Sequence, residues 1–127
     1  MRNYIAGGLL FFVVMNNTSL ATDITVDEDS MQLMKDRQAS LSSNISLKNE
    51  KAAKDDATVL QEMFNEVEAF YKKKADAADA VDWTRESEGL VATISKCVES
   101  KDFDTAAQTS ITLAKTCKSC HKMYKKD

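Results

Sequence analysis

The sequence predicts an all-α fold, an antiparallel four-helix bundle, from three observations. Proline is absent from the 127 residues, and two of the three glycines, Gly7 and Gly8, fall in an N-terminal apolar stretch. Only Gly89 then interrupts the rest of the chain, which excludes hairpin-rich and βαβ architectures that need frequent turn residues. Apolar residues recur instead every three or four positions in four successive stretches. A hydrophobic content of 43% with 29% charged residues is that of a globular chain, and a net charge of −3 argues against a general nucleic-acid binder.

The N-terminus predicts an export signal over residues 1–21. Arg2 supplies a positive start, an apolar run follows over residues 5–15, and Ser19-Leu20-Ala21 puts small residues at the positions a signal peptidase reads. A membrane-spanning helix needs roughly 20 apolar residues, so this run is too short to span. The domain is therefore expected over residues 22–127, in the periplasm, where cysteines meet an oxidising environment.

The first helix is expected to turn Met31, Met34, Gln38, Leu41 and Ile45 to one face. In the second, Leu60, Met63, Phe64, Val67, Phe70 and Tyr71 follow the same spacing, and Lys72-Lys73-Lys74 suits a helix C-terminus. The junction between these two lacks a strong breaker. Residues 75–82 read as a linker, with Trp83 between the second and third helices. Thr84 can cap the third helix, whose inward residues are Leu90, Val91, Ile94, Cys97 and Val98, and Ser100-Lys101 is a weak stop. Asp102 or Asp104 can cap the fourth, which runs through Ala107, Ile111, Ala114, Cys117, His121 and Tyr124. Four amphipathic helices joined by short connections make a bundle.

The chemistry lies at the C-terminus. Cys117-Lys118-Ser119-Cys120-His121 is a C-x-x-C-H motif, the attachment signature of c-type haem. Residues three and four apart share a helix face, so both thiols can form thioethers while His121 coordinates iron from the same side. The expected cofactor is one covalently attached haem c per chain. His121 is the only histidine, which excludes bis-histidine ligation within one chain and any second-haem or Ser-His-Asp site. The expected protein is a haem-binding carrier and not an enzyme. Three other readings use the same residues: a thioredoxin-like dithiol, normally placed after a strand, and, in a non-haem helical protein, a simple disulfide or a zinc site of Cys97, Cys117, Cys120 and His121.

An exported helical bundle ending in this motif resembles the class II c-type cytochromes, the cytochrome c-prime family. The closing segment Thr116-Cys117-Lys118-Ser119-Cys120-His121-Lys122-Met123-Tyr124-Lys125-Lys126 is similar to the family's, and Arg37-Gln38 is similar to its Arg-Gln pair beside the haem propionates. Lys125 stands where many members carry arginine. The resemblance implies that Leu41, four residues after Arg37, covers the open face of the iron, leaving His121 as sole axial protein ligand. It thereby implies binding of small gases, nitric oxide or carbon monoxide, together with electron transfer to an unidentified redox partner and a homodimer through the first two helices. Ligation by Met34 or Met31 would instead make a low-spin electron carrier.

Charge is uneven. Residues 113–127 hold Lys115, Lys118, Lys122, Lys125 and Lys126 against Asp127, while residues 22–112 hold 11 basic and 19 acidic residues. A basic end on an acidic body can orient a redox partner; lysines also suit any helix C-terminus.

Overall fold

Asp27 opens the first helix by a reciprocal cap: its carboxylate accepts from the Ser30 amide at 2.8 Å, and its own amide donates to the Ser30 hydroxyl at 3.0 Å. The computed structural model describes residues 26–124, with the side chains of Met123 and Tyr124 outside the description, so the export signal expected over 1–21 lies outside the described residues. Four helices follow: α1 (Glu28–Ser46), α2 (Glu50–Lys72), α3 (Ala78–Glu99) and α4 (Phe103–Tyr124), with no strand among the described residues.

The connections, 47–49, 73–77 and 100–102, are short enough that consecutive helices must run antiparallel. Helix α1 packs on α2 and α4, and α3 packs on the same two, which is the square arrangement of an up-down-up-down bundle. Its core is aliphatic: Leu41, Leu60, Ile94, Leu113 and Val98 are all fully buried, as are Ala53, Ala80 and Ala106.

Two of the three turns use a lysine where glycine is the usual residue. Lys48 (φ 53°) and Lys101 (φ 59°) adopt the left-handed conformation just past α1 and α3. In each turn a 6→1 and a 5→2 bond close the helix, Asn49 N to Asn44 O at 2.9 Å with Lys48 N to Ile45 O at 3.0 Å, and Asp102 N to Cys97 O at 2.8 Å with Lys101 N to Val98 O at 3.0 Å. These stops carry no glycine, so the α1–α2 junction is hard to see in the sequence. Asp102, rather than Asp104, caps α4 by accepting from the Thr105 amide at 3.1 Å.

Two expectations are corrected. Residues 75–82 are not all linker: α3 begins at Ala78, with Ala77 as a cap that makes no side-chain bond. Thr84 therefore lies inside the helix, where its hydroxyl donates to Ala80 O at 2.7 Å, and Trp83 belongs to α3. Ala77 and Ala80 are both buried, so small residues that look like a spacer are packing residues with high helix propensity. The second correction is the buried face of α4, which is Ala106, Ser110, Leu113 and Thr116, while Ile111 is 52% exposed. Polar Ser110 belongs inside because it pairs with Ser42 at 2.7 Å and its carbonyl accepts from Gln38 at 3.4 Å, tying α4 to α1.

Candidate haem site

The N-terminal part of α1, the C-terminal part of α2, the start of α3 and the end of α4 meet at one end of the bundle. They enclose a cavity of about 280 Å³, near the lower end of the ~300–1,000 Å³ common for small-molecule sites. Leu60, Phe64 and Val67 of α2 and Trp83 of α3 give it an apolar wall. Cys117, Cys120 and His121 contribute the α4 wall, one helical stripe at i, i+3 and i+4. Met31, Met34, Lys35 and Gln38 supply α1. His121, Lys35 and Lys118 are exposed and mark the solvent side, whereas Cys117 and Cys120 are half-buried.

The hydroxyls and the amide of the wall already have partners. Ser87 donates to Trp83 O at 2.9 Å and Thr84 to Ala80 O, both bonds that turn hydroxyls back onto their own helix. Gln38 donates to Ser42 Oγ at 3.2 Å and to Ser110 O. The surface left facing the cavity is thus mainly hydrocarbon, sulfur and the α4 motif.

All three cysteines are free thiols. Burial, reinforced by Cys120, pushes the Cys117 thiol up to about 11. Burial also raises Cys120. A dithiol that attacks disulfides needs a depressed pKa, so this pair has the opposite electrostatics. Cys97 is absent from the cavity wall. It lies ten residues beyond Ser87 on α3, about 15 Å along the axis. Among the described residues no group of three or more His, Cys, Asp and Glu side chains is arranged to hold a metal ion.

The donor set fits a haem. Two protonated thiols and an imidazole share one helix face at an apolar cavity, with a second sulfur source in Met31 and Met34. Haem bound there would be held by Cys117 and Cys120 through thioethers and by His121 through iron.

The six residues singled out in the sequence do not all converge. Cys117, Cys120, His121 and Gln38 line the cavity. Arg37 is on a different face of α1, where its guanidinium meets Asp56 at 2.9 Å. Leu41 is fully buried in the core and does not line the cavity. Trp83, Thr84 and Ser87 belong to the wall without having been singled out; their spacing at i, i+1 and i+4 becomes a signal once α3 starts at Ala78. Comparison with protein-family models, curated proteins and solved structures returned no match.

Proposed function

We propose that this chain is an exported monohaem c-type cytochrome with the four-helix architecture of the cytochrome c-prime kind. One observation carries the reading: both cysteines and the histidine of the C-x-x-C-H motif line the same apolar cavity of the bundle. When bound, haem supplies one-electron exchange or a coordination site for a small gas. The chain would supply the anchor through Cys117 and Cys120, the imidazole of His121 as an iron ligand, and a hydrocarbon wall that excludes water. The absence of a three-ligand cluster among the described residues and the raised thiols both disfavour the zinc and dithiol alternatives.

Two readings of what else the iron would meet follow from different residues. The resemblance, through Leu41, favours an open site for nitric oxide or carbon monoxide. Met34 and Met31 line the cavity while Leu41 does not, which favours a thioether ligand and electron transfer. We adopt the second, with Met34, the more deeply buried of the two, as the ligand.

The test is expression of the full chain with c-type maturation machinery, followed by intact mass and a pyridine haemochrome spectrum. One covalent haem is expected, reduced to a single thioether in Cys117→Ala or Cys120→Ala. Stoichiometric zinc without covalent haem would sink the proposal. His121→Ala should lose the proximal imidazole, and an unchanged spectrum would assign that role elsewhere.

A further inference from the structure

Two carboxyl groups on facing helices stand one turn from the cavity wall. Phe64 of α2 and Thr84 of α3 line the cavity and are buried. Glu68 and Glu88 follow them at i+4, on the same faces of the same helices. Glu68 is already paired, with Lys72 at 2.7 Å and Arg85 at 3.0 Å. The two cations beside Glu88 are thereby committed to another carboxylate. Oε1 of Glu88 is buried and has no hydrogen-bond partner among the described residues. The two acids also bond to each other, which requires a proton on one of them, and the cations keep Glu68 the charged member. Across the cavity, α1 and α4 contribute Lys35, Lys118, His121 and the two thiols Cys117 and Cys120, and no acid lines the wall.

Protonated, Glu88 adds no charge beside the cavity. Deprotonated, it adds a negative charge whose Oε1 lacks a donor and whose nearest cations are held by Glu68. Such a charge is felt strongly in a low-dielectric cavity. An electron arriving in the cavity and a proton arriving at Glu88 therefore favour one another, equally in both directions. We infer that Glu88, held beside Glu68 on the α2–α3 seam, is the proton acceptor coupled to reduction of the haem iron. The inference rests on the haem reading and adds where the accompanying proton goes. For each electron that a one-electron donor delivers to the iron, Glu88 takes up to one proton from solvent, forming its O–H bond. Oxidation releases both.

The experiment is redox titration of the full haem-loaded chain on both sides of about pH 7, the value to which burial and Glu68 push Glu88. Covalent haem in each variant is verified by mass. The midpoint potential should be level in acid, fall through neutral pH and level off again in alkali. Each tenfold difference in proton affinity between the two redox states accounts for about 59 mV of that fall. Glu88→Gln fixes the neutral state, so its potential should stay at the acid level throughout. Glu68→Gln removes the neighbour that raises Glu88 and should move the step to lower pH. Reduced-minus-oxidised infrared spectra near neutral pH should show a carboxylic-acid carbonyl band that Glu88→Gln abolishes. Glu62→Gln, an exposed acid of α2, should change neither readout. A step that Glu88→Gln leaves in place, as titration of the haem carboxylates would, overturns the inference, and so does a level wild-type potential. An unmoved step in Glu68→Gln overturns it whether or not Glu88→Gln folds. These results leave attachment intact, whereas a wild-type chain that takes up no covalent haem overturns the proposed function and this inference together.

Discussion

Arg37 and Asp56 form the polar clamp between α1 and α2, Nη1 to Oδ1 at 2.9 Å, with the carboxylate nearly inaccessible and the guanidinium 43% exposed. Asp56 also accepts from Ser40 Oγ at 2.7 Å and Asn44 Nδ2 at 2.8 Å. Burial alone would raise this carboxyl; the donors from Arg37, Ser40 and Asn44 outweigh it and hold the group below the ordinary aspartate range.

The first prediction follows from that balance. Arg37→Gln leaves Asp56 with two donors and should cost about 1 kcal/mol, whereas Asp56→Ala strands several polar groups and should cost about 1–3 kcal/mol. Because the folded pKa is depressed, the carboxylate's contribution is present above about pH 4. It is lost as pH falls through the lower folded value, so acid denaturation of Asp56→Asn should be shallower. Urea melts between pH 2 and pH 6 provide the measurement.

The second prediction concerns Glu88, whose Oε1 is buried without a hydrogen-bond partner among the described residues. Burial, together with the neighbouring Glu68, pushes its pKa up to about 7. Glu68 is held low by Lys72, at 2.7 Å, and by Arg85, at 3.0 Å. A raised folded pKa means that the folded state keeps a proton the unfolded chain releases. Stability should therefore decline between the ordinary glutamate value, about 4.3, and about 7, then level off with respect to this group. Glu88→Gln supplies a neutral N–H donor at every pH and should remove that decline. Thermal melts at pH 5 and pH 8 would decide it, and an equal decline in wild type and variant would contradict the assignment.

A third prediction uses the two left-handed lysines. An L-residue in that conformation costs roughly 1–2 kcal/mol, part of which glycine recovers before its own unfolded-state entropy is subtracted. Lys48→Gly and Lys101→Gly should each stabilise the bundle by about 0.5–1 kcal/mol. For a domain near 100 residues that is a rise of about 2–8 °C in melting temperature. Calorimetry of each variant would show it, with loss of stability arguing that the lysine side chains hold the turns by other contacts.

These residues also show what the sequence can and cannot carry. The faces of α1, α2 and α3 were legible because leucine, isoleucine, valine and phenylalanine repeat at helical spacing, as in Leu60, Phe64 and Val67. The start of α3 is not, because the buried residues there, Ala77 and Ala80, are too small to mark an apolar face. Ser110 carries no sequence sign of being a core residue for a related reason: its partner Ser42 is 68 positions away in the chain. The α4 motif was legible because it is local. Arg37 was not, since an arginine on a helix surface has no local sign of whether a buried aspartate or a ligand will take it.

The last prediction separates Met34 from Leu41, seven residues or about 10 Å apart along α1. Leu41 is fully buried in the core and off the cavity wall. Leu41→Ala should therefore lower stability by about 2–5 kcal/mol, yet leave the ferric spectrum of the haem-loaded protein as it was. Met34 is 9% exposed and on the wall. Met34→Leu conserves volume and should cost less than about 1.5 kcal/mol, but it removes the sulfur. The wild-type ferric protein is then expected to be low spin with an iron–methionine charge-transfer band. Met34→Leu should lose that band, become high spin and bind carbon monoxide in the ferrous state, while Met31→Leu should retain the band. Leu41→Met should change nothing in the spectrum, because a thioether introduced there starts two turns from Met34 and off the cavity wall. Electron paramagnetic resonance of the four variants and the wild type reads the ligand field directly. A high-spin wild type whose carbon monoxide affinity rises in Leu41→Ala would return the open face of the iron to Leu41 and the function to gas binding.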